Sequence, residues 1–202
     1  MRRFIFGTLV STALVLTIAT PALGAPPIRE DGTVTSASAF AGSCETTGGG
    51  GMVCTDQFVE TFQTGPESWA VCVGRFTYSI SASGRFRSIS DESGCADLTD
   101  SALTIAPDFL SASIAPTVVP VVSCSRRACT DAGAVTASAE LVSSGQIFES
   151  TNRGTFNDGT CTYRFTSSTV STNGPATITV DGSAAVGEGS YGSEDFRITS
   201  RC

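Results

Sequence analysis

The stretch that indicates the fold most directly is AVTASAEL, residues 134–141, in which apolar and polar side chains alternate from Val135 onward. The odd positions, from Val135 to Leu141, are apolar, and the even positions between them are polar. A period of two is typical of a β-strand with one buried face. PATITV, residues 175–180, alternates in the same way, and from Gly32 onward no dozen residues carry a helical stripe.

Turn-forming residues separate the alternating runs. Asx-Gly pairs favour tight hairpins because both residues tolerate a positive φ. Short strands between such turns predict an all-β protein, an antiparallel β-sandwich stabilised by disulfides. The predicted turns are Gly65-Pro66, Asn157-Asp-Gly159, Asn173-Gly174 and Asp181-Gly182.

The eight cysteines predict up to four disulfides, since an even number is typical of an exported chain. Metal binding is disfavoured because the chain has no His and no Cys-x-x-Cys pair. We predict that Cys124 pairs with Cys129 and Cys161 with Cys202, which leaves the other four to pair among themselves. The cysteines are Cys44, Cys54, Cys72, Cys95, Cys124, Cys129, Cys161 and Cys202.

Two cysteines begin similar octapeptides, CVGRFTYS at residues 72–79 and CTYRFTSS at 161–168. The period of two predicts that the shared Cys and Phe face the core and that Arg75 and Arg164 face outward. The echo, with four cysteines in each half, predicts two related β units in series. These would span residues 25–115 and 116–202; the alternative is one β-sandwich over residues 32–202.

Residues 1–24 have the layout of a secretory signal peptide. Arg2 and Arg3 precede an apolar run to about Ile18, and small residues precede Ala25. The run is shorter than the roughly 20 residues that span a bilayer, so no membrane insertion is expected after cleavage. We therefore predict a secreted protein, and the Arg-rich, Lys-free composition favours a bacterial source.

Charge and composition restrict the function. The formal net charge is −7, and an acidic surface repels phosphate backbones, so nucleic acid is not an expected partner. Without His or Lys the chain has no Ser-His pair, no imidazole metal ligand and no Schiff-base lysine. The expected partner is an extracellular protein or a carbohydrate, and no cofactor is predicted apart from a calcium ion.

The calcium hypothesis rests on four acidic residues around Cys95, in a segment predicted to be a loop. Carboxylates and nearby carbonyls supply the oxygen ligands that calcium prefers, although no EF-hand loop pattern is present. An exposed acidic loop is the alternative interpretation. The four residues are Asp91, Glu92, Asp97 and Asp100.

Other residues suggest binding surfaces. If Cys124 bonds Cys129, the small ring between them displays Arg126 and Arg127, as a protease inhibitor displays a basic residue. Trp69 and Tyr191, near predicted turns, are candidate surface contacts for a ligand.

The predicted function is a secreted disulfide-rich β protein with a binding or structural role and no catalytic residues. One alternative is a glycosidase-like hydrolase that uses two carboxylates, with Glu194-Asp195 or Glu60 and Glu67 as candidate pairs. The other is a protease inhibitor that presents the 124–129 loop.

Overall fold

The computed structural model of the protein describes residues 28–65, 67–125 and 128–202, apart from the side chain of Ser125. The predicted signal peptide, Pro66, Arg126 and Arg127 lie outside these residues. Every regular element in the described part is a β-strand, which confirms the all-β prediction. The ten strands are β1 (Ile28–Thr46), β2 (Met52–Gly65), β3 (Ser68–Ile80), β4 (Phe86–Leu98), β5 (Leu103–Ile105), β6 (Ser111–Ser125), β7 (Ala128–Val142), β8 (Ile147–Asn157), β9 (Thr162–Val180) and β10 (Ser183–Arg201).

The strands form one antiparallel sheet that closes on itself. Pairing runs in the order β10-β1-β2-β3-β4-β6-β7-β9, and β9 pairs in turn with β10. The shortest strand pairing in this closed circuit is that of β4 with β6, where only residues 91–93 pair with 122–124. β8 pairs with β9 outside the circuit, and β5 pairs with β6. No helix long or apolar enough to cross a membrane occurs among the described residues.

One hydrophobic cluster fills the closed sheet. Its members come from both ends of the chain, from Ala37 on β1 to Tyr191 on β10, with Ile114, Leu141 and Ile178 among the most deeply buried. Many of the others are alanines, so the enclosed space is narrow. The boundary predicted at residues 115 and 116 falls within β6. We propose that residues 32–202 fold as a single unit.

The prediction that Cys72 and Phe76 face the core is wrong. On β3 the residues that pack into the core are Val71 and Val73, which puts Cys72 and Phe76 on the outer face. Arg75 follows the core residues on the inner face, and its Nε atom is buried. Alternation shows which residues share a face but not which face is enclosed, and this narrow interior is filled mainly by small and branched side chains.

The aromatic residues of the outer face cover glycines on neighbouring strands. A Cβ atom at Gly74 or Gly154 would overlap a phenylalanine ring from the paired strand, so glycine makes room for the ring. The rings thereby bury part of their surface without entering the core. The pairs are Phe58 with Gly74, Phe165 with Gly154 and Phe196 with Gly32.

All eight cysteines form disulfides, and both predicted pairings are confirmed. The remaining pairs are Cys44–Cys54 and Cys72–Cys95. Three of the four bonds join residues directly opposite each other on adjacent antiparallel strands. These bonds therefore fasten hairpins and do not link distant parts of the sheet.

Two predicted turns are confirmed and one is wrong. The segment 157–159 begins the connection from β8 to β9, and Asp181-Gly182 connects β9 to β10 with both residues at positive φ. Asn173-Gly174 instead lies inside β9. A Cβ at Gly174 would contact the backbone of the β7–β8 connection, so this glycine allows a close approach of two chain segments.

Candidate anion-binding surface

The closed sheet extends beyond its core at one end. Strands β1, β9 and β10 have 19 residues each, longer than the core needs, and β8 pairs with the first half of β9. The inner face at this end begins with Tyr191, Thr172 and Ala37, which are buried at the edge of the core. Beyond them the same face continues into solvent and becomes polar.

Five arginines lie on this polar extension of the inner face, which we call the arginine face. They are almost half of the twelve arginines in the chain, and all five are exposed. Their common orientation follows from the strand register, because residues paired across antiparallel strands point to the same side. The five are Arg29, Arg153, Arg164, Arg197 and Arg201.

The register arranges the arginine face in parallel rows that cross the strands. The first row is Arg153–Thr166–Arg197–Asp31. The second row is Thr155–Arg164–Thr199–Arg29. The third contains Thr162 and Arg201. Neighbouring strands are about 4.8 Å apart, and the rows are separated by about 7 Å.

The arginine face is positively charged in an acidic protein. Three carboxylates, Asp31, Glu149 and Asp195, share the face with the five arginines, whereas the whole chain carries a net charge of −7. The ion pair among the described residues joins Arg29 Nε to Asp31 Oδ1 at 3.3 Å. The guanidinium groups of the other four arginines have no carboxylate partner within 4.0 Å in the described residues, so they are available to an external anion.

Hydroxyl groups stand between the arginines. Thr155, Thr162, Thr166 and Thr199 occupy the alternate positions of the rows, and the next row inward contains Ser168 and Thr33. Thr33 Oγ1 donates a hydrogen bond to Asp195 Oδ1 at 2.5 Å.

A shallow groove of about 630 Å³ runs across this surface. Arg153, Arg197, Asp31, Asp195 and Thr166 are among the residues that line it. The surface can therefore offer charged and neutral hydrogen-bond donors to one ligand.

The opposite face of the same strands is apolar, and its contacts stabilise the extension of the sheet. The rings of Phe156 and Tyr163 stack with centroids 4.6 Å apart. Tyr163 Oη donates a hydrogen bond to Asp158 in the β8–β9 turn at 3.0 Å. The backbone N–H groups of Cys161 and Thr160 also donate to Asp158, and these bonds lower the pKa of its carboxyl group. Both contacts tie the β8–β9 turn to the sheet.

The predicted surface role of Tyr191 is wrong. Tyr191 is only 2 % exposed, and its hydroxyl group donates to the carbonyl oxygen of Phe109 at 2.9 Å. The Gly- and Ser-rich stretch before Tyr191 predicts a turn, but it lies inside strand β10. Trp69 is half-buried and packs against the core cluster at the start of β3.

The segment predicted as an acidic calcium loop is mostly strand β4, so the loop prediction is wrong. Cys95 is held opposite Cys72, and Ala96 and Leu98 pack against the core, which requires an extended chain. Asp91 and Asp97 lie on the outer face about 20 Å apart, Glu92 on the inner face and Asp100 beyond the strand. The described residues contain no group of three or more potential metal ligands.

The carboxylate pairs suggested for a hydrolase do not face each other. Glu194 and Asp195 are consecutive on β10 and point to opposite sides of the sheet. Glu60 lies in the middle of β2 and Glu67 follows its end, about 17 Å or more along the strand. Facing carboxyls in glycosidases are separated by about 5–10 Å. The 124–129 disulfide is formed, but Arg126 and Arg127 lie outside the described residues.

The sequence pattern alone does not reveal the arginine face. Its arginines come from the three consecutive strands β8, β9 and β10 and from β1 at the other end of the chain, and only the register brings them to one side. The one signal in the sequence is Arg164 in the repeated octapeptide, and the period of two predicts it on the outer face. Comparison with family profiles, curated proteins and solved structures finds no match for this chain.

Proposed function

We propose that this protein is an exported binding protein whose arginine face binds an anionic extracellular polymer. The disulfide-rich all-β fold is compatible with a binding or structural role in an oxidising environment outside the cell. The N-terminal sequence, with its basic start and apolar run, supports export. The observation that carries the proposal is the set of four exposed arginines without carboxylate partners in the described chain.

Guanidinium groups suit this role. Arginine is always charged and presents its donors in a planar fork that matches carboxylate, sulfate and phosphate oxygens. Here the arginines project from paired strands, and a sheet fixes their backbone positions better than a loop would. An exposed ion pair contributes about 0.2–1 kcal/mol, so several of these arginines must act together to supply useful affinity.

The composition of the arginine face favours a carbohydrate over a protein partner. Protein interfaces are anchored by buried aromatic and apolar side chains, and the first three rows of this face contain only arginine, threonine, Asp31 and, opposite Thr162, Asn157. Threonine hydroxyls between the arginines can bond to sugar hydroxyls. A nucleic acid is disfavoured because the rest of the molecule is strongly acidic and would repel a long phosphate backbone.

Affinity electrophoresis of the oxidised, exported protein tests this proposal. A gel that contains carboxymethyl cellulose should retard the protein, and a gel that contains neutral hydroxyethyl cellulose should not. The double variant Arg164→Gln/Arg197→Gln should lose the retardation. Arg85→Gln/Arg87→Gln is the matched control, because it removes the same charge at the distant β3–β4 hairpin. The proposal fails if neither gel retards the protein or if both double variants behave alike.

A further inference from the structure

The arginines are spaced regularly across the strands, and the spacing identifies a ligand class. One arginine stands on each of four adjacent strands: Arg153 on β8, Arg164 on β9, Arg197 on β10 and Arg29 on β1. They alternate between the first row and the second, so a line drawn across the strands zigzags between them. The advance is about 4.8 Å per strand, and the sideways step is about 7 Å.

From this zigzag we infer that the ligand is a β-1,4-linked polyuronate lying across the strands; the inference rests on the proposed function. Such a polymer carries one carboxylate on every sugar. Rings joined through opposite positions advance by a length close to one strand spacing, about 5 Å. Successive rings are turned over, so successive carboxylates lie on alternate sides of the chain. Four consecutive sugars then bring their carboxylates to the four arginines in turn.

The position of Asp31 supports the zigzag over a straight line of charges. In the first row, β1 contributes Asp31, which would repel an anion that continued along that row. In the second row, β1 contributes Arg29, whose exposed ion pair with Asp31 is weak enough to be exchanged for a ligand carboxylate. A polymer with all its anions on one side would therefore meet two arginines in either row, whereas alternating anions meet four. Because adjacent strands are rotated by roughly 20°, successive arginines point in slightly different directions, which a flexible polymer can follow.

The remaining groups of the two rows face the sugar rings themselves. Thr166 and Thr155 flank the position of Arg164, and Thr199 lies between Arg164 and Arg29. Their hydroxyl groups can donate hydrogen bonds to sugar hydroxyls or accept hydrogen bonds from them. A ligand bound by charge alone would not use these hydroxyl groups. A polyuronate is thus favoured over a polyanion that has charge but no hydroxyl groups.

Calorimetric titration with β-1,4-linked oligouronates of two, four and six sugars tests the inference on the oxidised protein. We expect the tetramer to bind at least about 10-fold more tightly than the dimer, and the hexamer to add little, because four sugars complete the zigzag. The comparison ligands are the carboxyl-reduced tetramer, an irregularly sulfated glycan fragment with four charges, and tetraglutamate.

Arg87 supplies the matched control variant. It is exposed on β4 in the β3–β4 hairpin, away from the arginine face. Arg164→Gln should weaken tetramer binding about 3- to 5-fold, whereas Arg87→Gln, with the same loss of charge, should weaken it by less than about 1.5-fold. Equal effects of the two variants would overturn the inference.

The outcomes separate this inference from the proposed function. If the sulfated fragment or tetraglutamate binds as tightly as the uronate tetramer, the polyuronate inference is wrong and the anion-binding function stands. If affinity grows with charge alone and shows no step at four sugars, the same conclusion holds. If no anionic ligand binds at all, both proposals are wrong.

Discussion

Arg164 on β9 and Arg197 on β10 point to the same side of adjacent strands, and neither has a carboxylate partner within 4.0 Å in the described chain. They are diagonal neighbours, because Thr199 lies opposite Arg164 and Thr166 opposite Arg197, and like charges at this separation repel each other. A protein under selection for stability alone gains nothing from this arrangement. The arrangement is therefore better explained by a ligand than by the fold.

Removing one of these arginines should not destabilise the protein. We expect Arg164→Thr to leave the free energy of unfolding within about 0.5 kcal/mol of wild type, or to raise it, because it relieves repulsion at an exposed site. Urea unfolding at neutral pH measures this. A loss of more than about 1 kcal/mol would assign Arg164 a structural role and weaken the case for a binding surface.

Loss of a disulfide should cost more when the bond closes a longer loop. Cys72–Cys95 spans 23 residues and Cys124–Cys129 spans 5. Chain entropy then predicts a loss of about 3.5 kcal/mol for Cys72→Ser/Cys95→Ser and about 2 kcal/mol for Cys124→Ser/Cys129→Ser. Equilibrium denaturation of both double variants, with alkylation to verify that no new thiol pairing occurs, gives the comparison. The reverse order would contradict this reasoning.

Gly94 lies beside the shortest strand pairing in the closed circuit of strands, that of β4 with β6. A Cβ at this position would collide with the backbone carbonyl of Pro120 on β6, next to the short pairing of β4 with β6. Gly94→Ala should destabilise the protein by about 1–3 kcal/mol, because a backbone segment must move. The control is Gly48→Ala, which adds a methyl group in open space and should be neutral.

The same denaturation curves test the proposed single folding unit. If residues 32–202 fold as one unit, Gly94→Ala should shift one cooperative transition seen by both fluorescence and circular dichroism. Two separate transitions, of which the substitution moves only one, would support two units in series.

The Asp158 carboxylate should make the β8–β9 turn sensitive to acid. Its pKa is lowered in the folded protein by backbone N–H donors, chiefly that of Cys161, so ionised Asp158 stabilises the fold. This contribution is present above the unfolded pKa of about 3.9 and disappears as the pH falls through the lower folded value. Asp158→Asn should lower the melting temperature at pH 7, and the difference from wild type should shrink towards pH 2. A difference that stays constant with pH would contradict this account.

The sequence predicted the strands well because alternation is a local property. The runs at 134–141 and 175–180 lie in β7 and β9, with Ala137, Ala139 and Ile178 buried. Two disulfides were also predictable, since Cys124 and Cys129 are close in sequence and Cys161 and Cys202 remained in the second half. These features depend on neighbours along the chain or on simple pairing.

The functional surface was not predictable because it depends on long-range register. Whether Arg164 faces inward is decided by which face of β9 encloses the core at Ala176 and Ile178, more than ten residues away. Whether it stands near Arg29 is decided by the pairing of the first strand with the last. A one-residue shift in the register of β9 or of β1 against β10 would divide the arginines between the two faces of the sheet.

The salt dependence of binding to a long β-1,4-linked polyuronate is the sharpest test of the arginine face. Each arginine that contacts an anion of a charged polymer releases counterions, so each should contribute about 0.7–0.9 to the slope of log affinity against log salt concentration. We expect Arg164→Gln to reduce the slope by about that amount and Arg87→Gln, on β4 outside the arginine face, to leave it unchanged. An unchanged slope for Arg164→Gln, or no binding at low salt, would contradict the assignment of the arginine face as the binding site.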